Sequence, residues 1–327
     1  MGRFCQSKEW QRYEEMEGRE TFWREGEGWH YLAVLYKRSI GNYLYCPYGP
    51  AAGASDLPAA LDSLVTLAKE QGCFFVRIEP MLALTERGSA EGSLDNEVEN
   101  NRDDNAISVD EMKKLGCVKS HDLDPAHTWV LDLAGQTREE LLAGMSGTRT
   151  RYWKKAERSG VKIRRTKDPE EIGILSRLLG DLGEKNGFKP QSYEHLKNQM
   201  KAGFATLYVA EVIEDDKQVP IATLLVHEYD GVRSYAHTAS DDKYRKLTAG
   251  TVLTVQAILD AKDEGMRAFD FWGISTSEDP GHPWYHFSQY KKSFGGRQVD
   301  YAGTWDKPVK KWKYWAYRVL RKIRNRR

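Results

Sequence analysis

Tyr290-Lys291, followed by Phe294-Gly295-Gly296, sets a lysine beside an aromatic ring about one turn before a helix ends. Next to an ester or other carbonyl, such a lysine stabilises a developing oxyanion or protonates a departing alkoxide. The plainer alternative is that Lys291 and Lys292 form a solvated helix face. Upstream, Arg245-x-x-Thr248-x-Gly250 opens a helix, and a helix N-terminus beside an arginine holds anions. A surface arginine next to a helix cap would look the same. Asp270 ranks ahead of Asp279 as a proton acceptor because it lies on the strand that ends at the expected cleft, against a structural hydrogen bond to loop backbone. His237 and His282 have neither metal-pair spacing nor a flanking nucleophile, so each reads as a structural histidine, and no metal site is expected.

The stretch 235–296 that carries these residues reads as strand, loop, helix, strand, loop, helix. Small and charged residues gather where strands end and helices begin, the usual ligand position in open α/β sheets. Strands are expected over 205–213, 221–229 and 232–239, with the hairpin signal Asp230-Gly231 between the last two. A helix over 247–264, a strand over 268–271, a helix over 283–293 and a strand over 298–303 follow. Thr137-Arg-Glu-Glu140 has capping-box form and opens one helix to Gly160, rich in cations from Arg149 to Arg158. A strand over 161–165 and helices from Asp168-Pro169 and over 193–200 lie between. Nearer the N-terminus, Ser7 caps a helix within 6–16, and 30–38 pairs with 43–46 as a hairpin ending in the rigid turn Pro47-Tyr48-Gly49-Pro50. Ser55 caps a helix that stops at Gly72, and 73–80 and 128–133 have strand character. Residues 88–111 carry eight acids and one cation (Arg102), and read as a mobile surface insertion without catalytic role.

A chain of 327 residues predicts two domains of about 150 residues each. The boundaries expected are 1–135, 136–304 and a tail of 305–327. No apolar run nears the roughly 20 residues of a membrane span, and the N-terminus lacks a secretory apolar region. A cytoplasmic monomer is the expectation. Cys5, Cys46, Cys73 and Cys117 are too scattered for a zinc knuckle and read as buried, reduced thiols. The formal charge of +1 hides an asymmetry, since 307–327 holds ten Lys or Arg and no acid, leaving −9 on residues 1–306. Within that tail Val309, Trp312, Ala316, Val319, Leu320 and Ile323 recur at helical spacing, with cations on the other face. The tail could dock on the first domain through its apolar stripe, contact RNA, or lie peripherally on anionic membrane.

The order of elements in the second half resembles the acyltransferase fold of the GNAT family, and the first half looks like a degenerate second copy. That resemblance implies an α/β (α+β) chain of two tandem GNAT-like domains, mixed sheets flanked by helices. Acetyl-CoA-dependent members have glycine where this chain has Thr248, whose Cβ crowds a phosphate, so no cofactor is expected.

More of the chain is similar to a narrower family. Pro47-Tyr-Gly-Pro50, Arg77-x-Glu-Pro80, Thr128-Trp-x-Leu-Asp-Leu133, Arg151-Tyr152 with Lys155-Ala-Glu-Arg158, His237-Thr-Ala-Ser240, Asp270-Phe-Trp-Gly273 and Tyr290-Lys-x-x-Phe-Gly-Gly296 together resemble the FemABX peptidoglycan aminoacyltransferases. The match is nearer to FemX-like members, because the coiled-coil insertion of FemA-like enzymes is absent from 161–300. The resemblance implies transfer of an amino acid from aminoacyl-tRNA to the stem-peptide amine of a UDP-MurNAc-pentapeptide or its lipid-linked form, in formation of an interpeptide bridge. It implies that Lys291 steadies the tetrahedral intermediate or the ribose leaving group, with Tyr290 in the place of a family phenylalanine; Asp270, the candidate proton acceptor read from the residues, is placed beside them as catalytic. Arg245 resembles an arginine that grips the precursor's diphosphate, and Lys37 or Arg38 a first-domain cation doing the same. Tyr48, Thr238, Ser240 and Trp272 fall in the shared motifs as substrate-binding residues. Two other readings stand beside this one: an acyl-CoA-dependent N-acyltransferase, and a non-catalytic RNA- or membrane-binding adaptor working through the tail.

Overall fold

The computed structural model describes residues 4–85, 104–156 and 158–324. The chain divides into two compact units: one is formed by the described residues of Cys5–Ala126 and Asp300–Arg327, the other by His127–Val299 with Phe4. The chain therefore passes from one unit to the other at 126/127, not at 135/136. The strand His127–Asp132 explains the shift, because it pairs antiparallel with Ala268–Gly273 and buries Val130 and Leu131 in the second unit. Both units are mixed sheets flanked by helices.

In the first unit the sheet runs in the order Glu20–Gly26, Trp29–Tyr36, Tyr43–Cys46, Phe75–Ile78, Trp305–Pro308, Val118–Lys119. Helix Leu57–Glu70 buries Leu57, Leu61, Leu64 and Leu67 against it. That helix starts from Asp56 rather than Ser55, whose N–H is held by the Asp104 carboxylate at 2.8 Å. Asp104 also corrects the picture of the acidic stretch. From 104 onward the stretch is ordered, with strand Ala106–Ser108 and helix Val109–Lys114, the latter opened by a Ser108–Glu111 capping box; acids here suit a helix N-terminus. Residues 88–103 lie outside the described residues. The tail is likewise not one helix from 305. Trp305–Pro308 is a strand inside the sheet, between Phe75–Ile78 and Val118–Lys119, and the helix begins at Lys311. All four cysteines are free and buried.

Two buried polar groups tie this unit to its late segment. Arg77 Nε and one Nη lie 2.7 and 2.9 Å from the Asp306 carboxylate, which also accepts from the Tyr314 hydroxyl at 3.0 Å. Arg77 and Asp306 are almost fully buried, so their charges are tolerable only because the pairing is bidentate and further hydrogen-bonded. Nearby, the Tyr45 hydroxyl sits 2.6 Å from both Glu79 Oε2 and Asp124 Oδ2, and Thr304 donates to Glu79 Oε1 at 2.6 Å. A phenol has one proton to give, so two such short contacts require one of the two carboxyls to hold a proton as well. Burial raises both carboxyls; the Asp124 charge raises Glu79 further, while hydrogen bonds to Tyr45 and Glu79 oppose the rise of Asp124.

The second unit has a seven-stranded sheet in the order Lys162–Thr166, Ala205–Glu214, Lys217–Tyr229, Val232–Ser240, Ala268–Gly273, His127–Asp132, Arg297–Asp300. Asp230 and Gly231 adopt φ of 47° and 67°, the left-handed pair that a tight hairpin needs. Helix Ala249–Asp263 is buried along most of its length and packs Leu253, Ile258 and Leu259 into the main core. The single helix expected over 138–160 is two, Arg138–Gly144 and Gly147–Ala156. The chain breaks at Met145-Ser146, where the Ser146 N–H is diverted to the Ser293 carbonyl at 2.9 Å. Gly144 and Gly147 around the break are weak helix formers.

Candidate active site

Strands Val232–Ser240 and Ala268–Gly273 run parallel, but they pair only from Val232↔Ala268 to Ser234↔Asp270. Beyond that point Tyr235 and Thr238 on one strand line the site, while the other strand bulges between Asp270 and Gly273. Asp270 shapes the bulge. Its Oδ1 accepts from the Thr128 hydroxyl and, at 2.9 Å, from the Trp272 N–H, holding Trp272 at φ 64°. That turn presents the Gly273 carbonyl to Lys291, whose Nζ donates to it at 2.6 Å.

Lys291 lies on the inner face of helix Tyr285–Lys292 and is only 2% exposed. Its ammonium sits 4.0 Å from the Phe287 ring centre and 5.8 Å from that of Tyr235. Burial lowers its pKa to about 7, with the Asp270 charge acting in the opposite sense. Burial also raises Asp270, against its bonds to Thr128 and Trp272. The lysine is thus poised between ammonium and amine near neutral pH, as proton transfer in either direction requires. The helix is anchored at its end by Gly295-Gly296. A Cβ at Gly296, where φ is 99°, would lie 2.4 Å from the Val130 carbonyl, so only glycine fits.

Tyr235 and Phe287, the rings that pack on Lys291, are also walls of a cavity of about 490 Å³. Arg149, Thr238, Ser240, Arg245 and Tyr290 line it too. At one end stands the N-terminus of helix Ala249–Asp263. Thr248 precedes it in the left-handed region at φ 52°, with no side-chain cap, so N–H groups of the first turn remain available to an anion. The family position expected to be glycine is thus one where glycine would be relaxed and a β-branched residue is strained. Thr248→Gly is expected to raise stability by about 1 kcal/mol, measured as an upward shift in the urea midpoint.

Within the second unit, the sequence-derived residues Arg245, Thr238, Ser240 and Tyr290 share this cavity and Lys291 underlies it. Tyr290 serves the frame, since its hydroxyl contacts Thr254 Oγ1 at 3.0 Å and Gly250 O at 3.4 Å and burial raises its pKa. Trp272 is not a cavity wall; its ring packs 5.1 Å from Phe4 and 6.2 Å from His227. His282 Nδ1 accepts the Trp284 N–H and Asp279 accepts that of Gly281, so both organise their loop. His237 is held neutral by burial, its pKa near 4. Lys37, Arg38 and Tyr48 belong to the first unit: Lys37 pairs with Glu20 at 3.0 Å, Arg38 stacks 5.4 Å over Tyr36, and Tyr48 sits at φ 47°. Arg149 is the residue that the sequence hid. It bonds Ser293 Oγ at 2.7 Å and Thr251 Oγ1 at 3.1 Å and stacks 4.5 Å over Tyr290, but in sequence it is one cation in a run of five.

The family model for FemAB matches residues 1–212 and 193–322, nearly the whole chain. The chain belongs to the FemAB family. Among curated FemAB relatives, the aminoacyltransferase FemA of Staphylococcus epidermidis is 21% identical over 378 aligned positions, covering 90% of this chain and 86% of that protein. FemA of Staphylococcus aureus is 20% identical over the same coverage. The alignments are longer than this chain, so those FemA proteins carry inserted sequence that it lacks. Among solved structures, FemX superposes with a TM-score of 0.81 at 16% identity, covering 95% of this chain and 94% of FemX. The C-terminal domain of a putative lysylphosphatidylglycerol synthetase from Agrobacterium fabrum gives 0.59 at 11% identity, covering 92% and 88%. These likenesses establish a FemX-like fold.

Proposed function

We propose that this FemAB protein transfers the aminoacyl group of an aminoacyl-tRNA to the stem-peptide amine of a peptidoglycan precursor, UDP-linked or lipid-linked. The observation that carries the reading is Lys291, buried, pKa near neutrality, behind the wall of a cavity that ends in Arg245 and an uncapped helix N-terminus. Family membership and the named activity of the FemA relatives support it.

In this reading the acceptor's diphosphate is held by Arg245 and the first-turn N–H groups of helix Ala249–Asp263. The neutral acceptor amine attacks the ester carbonyl, forming the C–N bond and a tetrahedral oxyanion. Collapse breaks the C–O bond to the ribose. Protonated Lys291 donates to the developing oxyanion and then to the departing ribose oxygen, and recovers its proton from the new amide nitrogen. Holding amine and ester together supplies up to about 7–11 kcal/mol of the barrier in favourable cases. Asp270 acts as a positioning residue, through the bulge that orients Gly273 and Lys291.

The test is mass spectrometry of UDP-MurNAc-pentapeptide after incubation with the protein and a pool of charged tRNAs. The expected result is a mass gain of one amino-acid residue. No gain with this acceptor or with its lipid-linked form overturns the reading, as does a gain with acetyl-CoA alone. Arg245→Ala is expected to raise KM for the precursor about tenfold, the worth of one charge-assisted contact, with little change in kcat. Alanine at Lys37, Arg38 or Tyr48 asks the same of the first unit.

A further inference from the structure

Helix Lys311–Arg324 is docked by the wrong face for a helix that uses its apolar stripe to fold. Tyr314 is fully buried against Phe75, their rings 5.5 Å apart, and Tyr317 packs on Phe74 at 5.6 Å. The stripe noted in the sequence points outward instead. Trp312 is 76% exposed, and Trp315, Val319, Leu320 and Ile323 are each more than half exposed. At about 100° per residue these five side chains fall within an arc of roughly 140°, opposite Tyr314. Lys311, Arg318 and Lys322 follow one border of the arc and Lys313 the other. Arg318 and Lys322, with Arg321, Lys119 and His121, also line a concavity of about 640 Å³ beside the stripe.

We infer that this outward face of helix Lys311–Arg324 seats the protein on an anionic phospholipid bilayer, with the stripe in the acyl boundary and the bordering cations on lipid phosphates. A cationic, aromatic- and aliphatic-faced helix lying in the membrane plane has this composition. Tryptophans favour the headgroup level, and the concavity gives one phosphate headgroup a place among cations. RNA would engage the cations and stack on the tryptophans but leave Val319, Leu320 and Ile323 in water. A second copy of the chain would set the same cations against each other. Among the described residues no helix is long and apolar enough to cross a membrane, so the contact is peripheral.

Flotation of the full chain with phosphatidylglycerol–phosphatidylcholine vesicles tests this. The protein is expected to float with those vesicles, to release them as salt rises, and to ignore vesicles of phosphatidylcholine alone. Two variants at exposed positions, Trp315→Ser/Val319→Ser/Ile323→Ser and Lys311→Glu/Lys322→Glu, are each expected to lower partitioning about tenfold or more with an unchanged circular dichroism spectrum. Absence of flotation, equal binding to neutral vesicles, displacement by an uncharged-tRNA pool, or a dimer that the serine variant dissociates would each overturn the proposal. Flotation needs no turnover, so its outcome is separable from that of the transfer assay.

Discussion

Lys291→Met is expected to slow aminoacyl transfer by about 10²–10³-fold, the usual cost of removing one donor to an oxyanion, while leaving the protein at least as stable. Methionine has similar length and no charge to desolvate, and Lys291 is buried with its Nζ on the Gly273 carbonyl. A merely structural lysine would give the opposite pair of results. The pH behaviour separates the roles further. Folding lowers the Lys291 pKa from 10.5 to about 7. Between those values the folded state binds fewer protons than the unfolded state, so stability rises with pH across that window, and the methionine variant loses this slope. The rate moves the other way, because the donor is the ammonium: single-turnover transfer is expected to show a falling limb near pH 7, absent from the residual activity of Lys291→Met. A wild-type rate that rises through pH 7 to a plateau would assign Lys291 to the neutral, proton-accepting role instead.

The largest effect outside that site belongs to Tyr45. Tyr45→Phe is expected to destabilise the protein by about 1–3 kcal/mol, since it leaves Glu79 and Asp124 buried without the hydroxyl between them. Both carboxyls are raised in the folded state, Glu79 to about 7. A raised carboxyl contributes stability that is fully present below its ordinary value of 4.5 and is lost as pH rises through the folded value. The contribution of this pair to the wild-type urea midpoint, read as the wild type minus Asp124→Asn, should therefore fall from pH 5 to pH 7. Asp124→Asn, which keeps the shape and removes one charge, should raise the midpoint at pH 8. A difference between wild type and Asp124→Asn that climbs over the same interval would mean that both groups are ionised in the fold.

Much of this was legible in residue order, and the exceptions have physical causes. Local signals translated directly: the Thr137–Glu140 box caps a helix, Asp230-Gly231 turns a hairpin, and Gly295-Gly296 ends the lysine-bearing helix where only glycine fits. Arg245 lines the cavity and Lys291 packs behind its Tyr235 and Phe287 walls, because both follow the diverging ends of the same parallel strand pair. Elements whose partners are distant in sequence were hidden. Trp305-Asp-Lys-Pro308 has no strand pattern, and its place in the sheet depends on Arg77 neutralising Asp306. Asp104 reads as one more acid in an acidic stretch until Ser55 is seen bound to it. The helix break at Met145 depends on a carbonyl contributed by Ser293. Of the three roles the sequence leaves open for the stripe of the last helix, docking on the first unit is excluded only by its exposure, because periodicity reports which side is apolar and not which side is covered.

The strand Trp305–Pro308 lies between neighbours that leave the ribosome some 190 to 230 residues before it. Until it is made, Phe75–Ile78 must wait as an open edge, with Arg77 lacking its counter-ion, while the whole of 127–299 can already settle. Maturation of this polypeptide should thus run backwards, the later-made unit closing before the one begun first. A nascent chain stalled short of Asp306 should be protease-sensitive upstream of residue 127 and resistant after it.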